Sequence, residues 1–262
     1  MKNTSFRLFV CMVAIALTAL TARAASAVNC NFANESLNYK VMFKWGMINK
    51  QAGRATLSIK GNSAHADMKL TARSENWADR FYKVRDTLSG RVVREGFKPL
   101  YYEKIAHEGD EHKHDRVDYV YKGAKTYGNC HRRKWDDKGK LTRNEKRQLE
   151  AYGTTVDMLT SFYYMRSLPY STWKKGHVVT LNIYSGKRKE LLTIKYVGID
   201  NISVDKKKYR CYHVQFTFTS DGKTKTSDDL DAWISTDGNR IPIKMEGKLK
   251  VGKVQCFYTG SN

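Results

Sequence analysis

Apolar side chains recur at every second position through most of this chain. Leu37, Tyr39, Val41 and Phe43 share one parity, as do Ala55, Leu57 and Ile59, then Ala64, Ala66 and Met68. Gly53 and the pair Gly61-Asn62 punctuate these runs as turns. Residues 81–84, 101–105 and 117–121 continue the pattern, and 178–184, 191–197, 209–218 and the C-terminal runs repeat it. Period two puts successive side chains on opposite faces of a strand. About a dozen short strands with close turns predict an all-β chain, mainly one antiparallel sheet that curls or closes like a barrel.

The sharpest hairpin signal lies near the end. Two runs, 230–236 and 240–246, flank Asp237-Gly238-Asn239, and adjacent Gly and Asn supply the positive φ that tight turns need. With Gly238-Asn239 as the loop, Ile234 faces Ile243 and Ala232 faces Met245. With Asp237-Gly238 as the loop, the partners shift by two and keep their faces. Leu230, Ala232, Ile234, Ile241, Ile243 and Met245 thus form an apolar face, while Asp231, Trp233, Ser235, Lys244 and Glu246 point away. Pro242 has no ladder donor, so its strand is an edge or carries a bulge. One segment breaks the period. Thr154-Thr155-Val156-Asp157 has the spacing of a helix N-terminus, apolar positions follow at helical intervals, and Pro169 blocks continuation. One helix over about 155–167, packed on the sheet, is expected.

Several blocks carry a resemblance. Trp233-Ile234-Ser235-Thr236-Asp237, Arg240-Ile241-Pro242-Ile243, Leu249 and Val251-Gly252 resemble the C-terminal signature of the DUF3108 family of exported proteins from Gram-negative bacteria. Leu37 to Val41 with Ala52-Gly53, Phe81 to Asp86 with Pro99, and Asp157 to Leu168 are similar to its other blocks. The likeness spans roughly 37–254, and the basic stretch 132–147 falls outside the family pattern. It implies the fold and export but assigns no catalytic residue.

The first 27 residues have the layout of a secretory signal peptide: Lys2 and Arg7, an apolar run over 8–20, and Ala25-Ser26-Ala27 before Val28. The run is too short to span a bilayer. Residues 1–27 carry Lys2, Arg7 and Arg23 and no acid, so cleavage leaves 235 residues with a formal charge of +18 in place of +21. These 235 residues, 28–262, suit a single β domain. Periplasmic localisation is expected, with no transmembrane segment in the mature chain. Its four cysteines, Cys30, Cys130, Cys211 and Cys256, permit two disulfides in an oxidising compartment. Cys211 with Cys256 and Cys30 with Cys130 is the favoured pairing, against four buried free thiols.

Two constellations could carry chemistry. In His107-Glu108-Gly109-Asp110-Glu111-His112-Lys113-His114, a Gly109-Asp110 turn opposes His107 to His112 and puts His114 on the same face. Imidazoles so placed suit Zn²⁺ or Cu²⁺, although the competing reading is a solvated charged hairpin tip; no other cofactor is expected. Three basic runs, Arg132-Arg133-Lys134, Lys187-Arg188-Lys189 and Lys206-Lys207-Lys208, suit a surface that attracts polyanions such as lipopolysaccharide or acidic glycans. No nucleic-acid-binding signature occurs, nor any G-x-S-x-G, Walker A or G-x-G-x-x-G motif. Adjacent acids at Asp136-Asp137 and Asp228-Asp229 would face opposite ways on a strand and make no acid/base pair. The leading expectation is a non-enzymatic envelope protein that binds or carries a lipid or other envelope ligand. Polyanion binding through the basic surface and a metal-dependent enzyme at the three histidines are the alternatives.

Overall fold

A computed structural model describes residues 32, 34–184, 186–220, 230–248 and 252–262. The expected signal peptide, Cys30 and Asp228-Asp229 lie outside these residues. Eight strands run as an antiparallel meander: β1 (Glu35–Trp45), β2 (Ile48–Gly61), β3 (His65–Ser74), β4 (Val84–Val93), β5 (Lys98–Glu108), β6 (Glu111–Lys122), β7 (Lys125–Trp135) and β8 (Leu141–Tyr152). A second meander comprises β10 (Val178–Tyr184), β11 (Lys189–Val204), β12 (Lys207–Ser220), β13 (Leu230–Ser235), β14 (Pro242–Lys248) and β15 (Lys253–Ser261), and the short β9 (Thr155–Asp157) pairs in parallel with β10. β15 pairs with β1 and joins the meanders into one sheet of fifteen strands. The fold is the expected all-β, barrel-like one, with longer strands than the alternation suggested, up to 16 residues in β11.

The two free edges, β8 and β9, are consecutive in sequence, so the sheet curls until its ends nearly meet. Individual groups bridge the seam. The Asn182 side-chain amide donates to the Tyr152 carbonyl at 2.7 Å, Arg147 donates to the Lys187 carbonyl at 2.7 Å, and the Tyr184 hydroxyl donates to the Thr126 carbonyl at 2.9 Å. Tyr184 reaches β7 because position 128 is glycine; a Cβ there would meet the Tyr184 ring at 2.5 Å. That near-contact makes Gly128 a close-approach residue rather than a turn residue.

The interior is filled from one end by a helix. The expected helix is present as α2 (Met158–Arg166), preceded by the three-residue parallel contact of β9 and capped by Asp157 itself. The start therefore lies three residues later than expected. Thr155 and Val156 pair with Asn182 and Ile183, and that ladder holds them extended. Asp157 is fully buried; its carboxylate accepts from the Leu159 and Thr160 amides at 2.8 and 2.7 Å and from the Thr160 hydroxyl at 2.8 Å. Burial nevertheless pushes its carboxyl up to about 6, because desolvation of the charged form outweighs three donors.

At the other end of α2, Arg166 is 0% exposed. Its guanidinium donates to both Glu35 oxygens, to the Arg240 carbonyl at 2.8 Å and to the Asn239 carbonyl at 2.9 Å, and it lies 4.2 Å from the Phe32 ring centroid. The planar fork satisfies one carboxylate and two carbonyls from separate elements at once. It ties the helix to β1 and to the β13–β14 turn. Around α2 pack Leu37, Tyr39, Leu57, Ile59, Met68, Val92 and Tyr102 from the first meander, with Ile183, Leu192, Ile194, Val214 and Ile234 from the second.

The C-terminal hairpin forms with Ala232 opposite Met245, and Pro242 sits at a register shift, as a bulge. One partner differs. Ile234 faces Pro242, and Ile243 packs on the outer side with Val204 and Cys211. The bulge adds a residue, which turns Ile243 to the other face. The far half of β11–β12, beyond a register shift between Tyr196 and Gly198, supplies the outer cover for Ile243 and Phe257.

Two outcomes follow. Arg166→Ala strands the Glu35 carboxylate and two carbonyls; urea unfolding is expected to show a loss of about 3–5 kcal/mol. For Asp157 the folded pKa lies above the ordinary value. Its contribution is complete below pH 4 and is lost as pH rises through about 6. Asp157→Asn keeps an N-cap acceptor and is expected to abolish the fall in the urea midpoint between pH 4 and 6; an unchanged pH slope would overturn the assignment.

Candidate functional site

Alternate turns of the meander collect at one end of the barrel: Gly46-Met47, the 75–83 segment, Gly109-Asp110 and residues 136–140. The strand positions that fill the core continue upward into this mouth. Val41 and Phe43 follow Leu37 and Tyr39 on β1, Ala72 and Ser74 follow Met68 on β3, and Val84 follows Leu88 on β4. Among the described residues no core side chain covers their ends. They line an apolar cup of about 540 Å³ with Ile48, Ala52, Val254 and the aromatic residues Trp45, Trp77, Phe81 and Tyr82. The arginines at its border are Arg54 and Arg73.

The cup is partly roofed by a short helix, α1 (Asn76–Asp79), that the alternation did not reveal. A register shift between Val41 and Met42 leaves Ala52 as an extra residue in β2, and the β2–β3 ladder ends at Gly53 and Ser74, so the Gln51 and Ala52 carbonyls lie beyond that ladder. The Trp77 indole donates to the Gln51 carbonyl at 2.7 Å, and the Glu75 amide donates to the Ala52 carbonyl at 2.8 Å. At the other end Arg85 donates to Asp79 at 2.6 Å and to the Ser74 hydroxyl at 2.9 Å. Hydrogen bonds from Arg85 and Ser74 hold the Asp79 carboxyl below its usual range. The roof is thus clamped at both ends.

The opposite half of the lumen is charged. Lys104, Asp115, Arg132 and Glu145 lie in one inward row across β5 to β8. Arg132 sits 3.3 Å from Asp115 and 3.7 Å from Glu145. Nearer the mouth, Glu108 pairs with Lys104 at 2.8 Å and Lys113 at 3.0 Å, while Lys113 and Lys134 hold Glu111. Burial pushes the Glu108 carboxyl up, but hydrogen bonds from the two lysines outweigh it and hold it at about 2. The mouth therefore pairs an apolar cup with a wall of mutually neutralised charge.

The predicted site residues distribute as follows. His107 does oppose His112, as Glu108 opposes Glu111. These rings stack at 4.0 Å on the outer face, in a row Arg73, Arg85, His107, His112, Trp135 that crosses five strands. A groove of about 980 Å³ runs along this row. Burial, with His107 and His114 nearby, lowers the His112 pKa. His114 shares their face but is engaged elsewhere, 2.7 Å from Glu103 through Nε2 and accepting from Arg133 at 2.6 Å through Nδ1. Among the described residues no group of three or more His, Cys, Asp or Glu side chains is arranged to hold a metal ion.

The basic runs do not make one face. The 132–147 stretch is the β7–β8 hairpin, with Arg132 buried against acids and Lys134 paired inward. Arg188 pairs with Glu190 at 2.9 Å, and Lys187 and Lys189 sit beside it at the seam near Arg147. Exposed Lys206, Lys207 and Lys208 lie at the far end of β11, beyond its 16 residues. At about 3.3 Å per residue the last two runs stand tens of ångströms apart.

The expected Cys211–Cys256 disulfide is absent. β13 and β14 separate the two strands, which puts the cysteines at least about 14 Å apart, beyond disulfide reach. They also face oppositely: Cys211 packs outside with Ile243, and Cys256 packs against the interior. Cys130 is unbridged and buried; its expected partner Cys30 lies outside the described residues. Burial pushes the Cys211 thiol up to about 12 and those of Cys130 and Cys256 to about 11.

The DUF3108 profile, described as a protein of unknown function, matches residues 38–257. The chain belongs to the DUF3108 family. A search of curated proteins found no match. Among solved structures, a β-barrel-like protein of the DUF1849 domain from Brucella abortus superposes with a TM-score of 0.61 at 11% identity, covering 87% of this chain and 97% of that one. This likeness establishes the fold alone. Two more distant matches carry no argument: a protein from Bacteroides fragilis with a YmcC-like fold, provisionally named as exported (TM-score 0.38, 6% identity, 87% and 95% covered), and one from Parabacteroides distasonis provisionally named a lipoprotein (0.35, 9%, 88% and 95%). Among the described residues no helix is long and apolar enough to cross a membrane.

For this DUF3108 protein, a non-reducing peptide digest is expected to contain no Cys211–Cys256 cross-link. Native Cys130 and Cys211 are expected to resist thiol reagents until the protein is unfolded, because burial disfavours the thiolate.

Proposed function

We propose that this protein is an exported envelope protein that holds the hydrocarbon part of an amphiphile, a lipid, in the cup at its barrel mouth. The observation that carries this reading is the cup itself. Its volume of about 540 Å³ falls inside the range of about 300–1,000 Å³ usual for small-molecule sites. Its lining is aliphatic and aromatic, with two arginines at the border for an anionic headgroup. An apolar chain leaving water for this lining is favoured by the area removed from solvent. A headgroup at Arg73 would sit in a position where charge-assisted contacts remain possible beside solvent. Export rests on the signal-peptide pattern of residues 1–27. The role is one of binding or carriage; the ion pairs of the opposite wall are neutralised among themselves, which suits a supporting wall more than an acid/base centre.

A direct test is fluorescence titration with cis-parinaric acid, paired with native mass spectrometry of protein purified from its own envelope. Wild type is expected to bind the probe saturably and to release a lipid on denaturation. Ala72→Phe fills the cup from β3 and is expected to weaken probe binding by about tenfold or more, about 1.4 kcal/mol or more, with the urea midpoint little changed. Equal binding by the two proteins, or none by wild type, would exclude the cup as a lipid site.

A further inference from the structure

The mouth also carries an apolar rim, in which four residues of the cup's lining reach the outer surface beside Met47. Met47, at the tip of the β1–β2 turn, is fully exposed, and Phe81 is 82% exposed; Trp45, Tyr82 and Ile48 are half-exposed. Gly46 adopts φ +54°, the left-handed conformation that lets this tight turn lift Met47 clear of the sheet. These five side chains come from two segments, 45–48 and 81–82, that meet at one end of the barrel, and four of them border the cup. Among the described residues the other exposed large apolar side chains are spread along β6, β8, β10 and β11. A contiguous apolar patch at a cavity mouth marks an interaction surface.

Its charged surroundings say which kind. Segments 44–54 and 73–83 carry exposed Lys44, Lys50, Arg54, Arg73, Arg80 and Lys83. Their only acids are Glu75 and Asp79; Asp79 is taken up by Arg85, and Glu75 faces Gln51 and Arg54. Lys50 lies over the Trp77 ring at 4.7 Å, so even its charge is held beside the aromatic rim. Exposed Trp, Phe and Met with Lys and Arg on the same two segments match the bilayer interface, and the acids of the mouth lie on the far side of Tyr82, which rests against Gly109 near Glu108 and Glu111. The rings settle at headgroup depth, the aliphatic tips reach the acyl boundary, and the bases meet anionic headgroups.

We propose that the barrel mouth docks on the surface of an anionic bilayer, with Met47, Phe81, Trp45 and Ile48 inserted and the surrounding lysines and arginines over the headgroups. Docked this way, the cup opens directly onto the lipid layer, and an acyl chain passes between bilayer and cup without crossing water. The purpose of docking rests on the lipid-binding reading, but the docking itself is measured separately.

The test is flotation of the intact protein with vesicles of phosphatidylglycerol and phosphatidylcholine in equal parts, against vesicles of phosphatidylcholine alone. Binding is expected to the anionic vesicles, to weaken as salt rises, and to fall by about tenfold or more in the double variant Met47→Ser/Arg80→Glu. Neither of those residues lines the cup, so the variant is expected to bind cis-parinaric acid in solution as wild type does. Ala72→Phe is expected to show the converse: probe binding lost, vesicle binding kept. Absent vesicle binding, or vesicle binding indifferent to Met47→Ser/Arg80→Glu, would overturn the docking proposal while leaving the cup's own test intact. A dimer in size-exclusion chromatography that Met47→Ser dissolves would assign the rim to a second copy of this chain and would overturn it too.

Discussion

A curled sheet of fifteen strands encloses more space than its own side chains can fill, because barrel diameter grows with strand number. Every other feature of this protein answers that constraint. One end of the lumen is filled by α2, driven inward by β9 and held by Arg166 against Glu35 and the Asn239 and Arg240 carbonyls. One wall is filled by charge, in the row Lys104, Asp115, Arg132 and Glu145. The remaining space is the apolar cup at the mouth. The candidate site is thus what the filling of the barrel leaves over.

Polar groups do structural work inside this protein that apolar packing does in smaller barrels. Asp157 and Arg166 sit at the two ends of one nine-residue helix, each fully buried and each surrounded by partners. A buried ion is costly alone and tolerable when paired and hydrogen-bonded, so the two residues set the position of the helix along the lumen. The β2 bulge acts similarly at the mouth. The extra residue Ala52 lies where β2 runs on past the end of β3, and the Gln51 and Ala52 carbonyls there anchor α1 over the cup. The position of the roof therefore follows from the extra length of a neighbouring strand.

Much of this was legible in the sequence, for identifiable reasons. The period-two runs of β1 to β3 read correctly because one face is apolar and the other polar. The opposition of His107 and His112 read correctly because Gly109-Asp110 defines the turn. β8 was hidden because both its faces are polar, its inward face carrying ion pairs in place of aliphatic residues, so the 132–147 stretch read as a basic insertion. Ile243 was placed on the wrong face because alternation carries no mark of where a bulge adds a residue, although Pro242 signalled that one was near. The pairing of Cys211 with Cys256 failed because proximity in sequence pattern says nothing of the two strands between them.

By itself, then, the sequence determined what depends on neighbours along the chain: the strand periodicity, the turns at glycine and asparagine, the single long helix with its stop at Pro169, and membership of the family. Tertiary structure alone decided what depends on closure. It brought the ends of the meanders together at Tyr184 and Gly128, it turned Arg132 and Lys134 of β7 inward toward acids, and it gathered Val41, Phe43, Ala72, Val84 and Val254 from four strands around one cavity. The physical reason is range. Periodicity and turn chemistry act over two to four residues, whereas the cup needs four strands side by side and the lumen closes only when β15 pairs with β1.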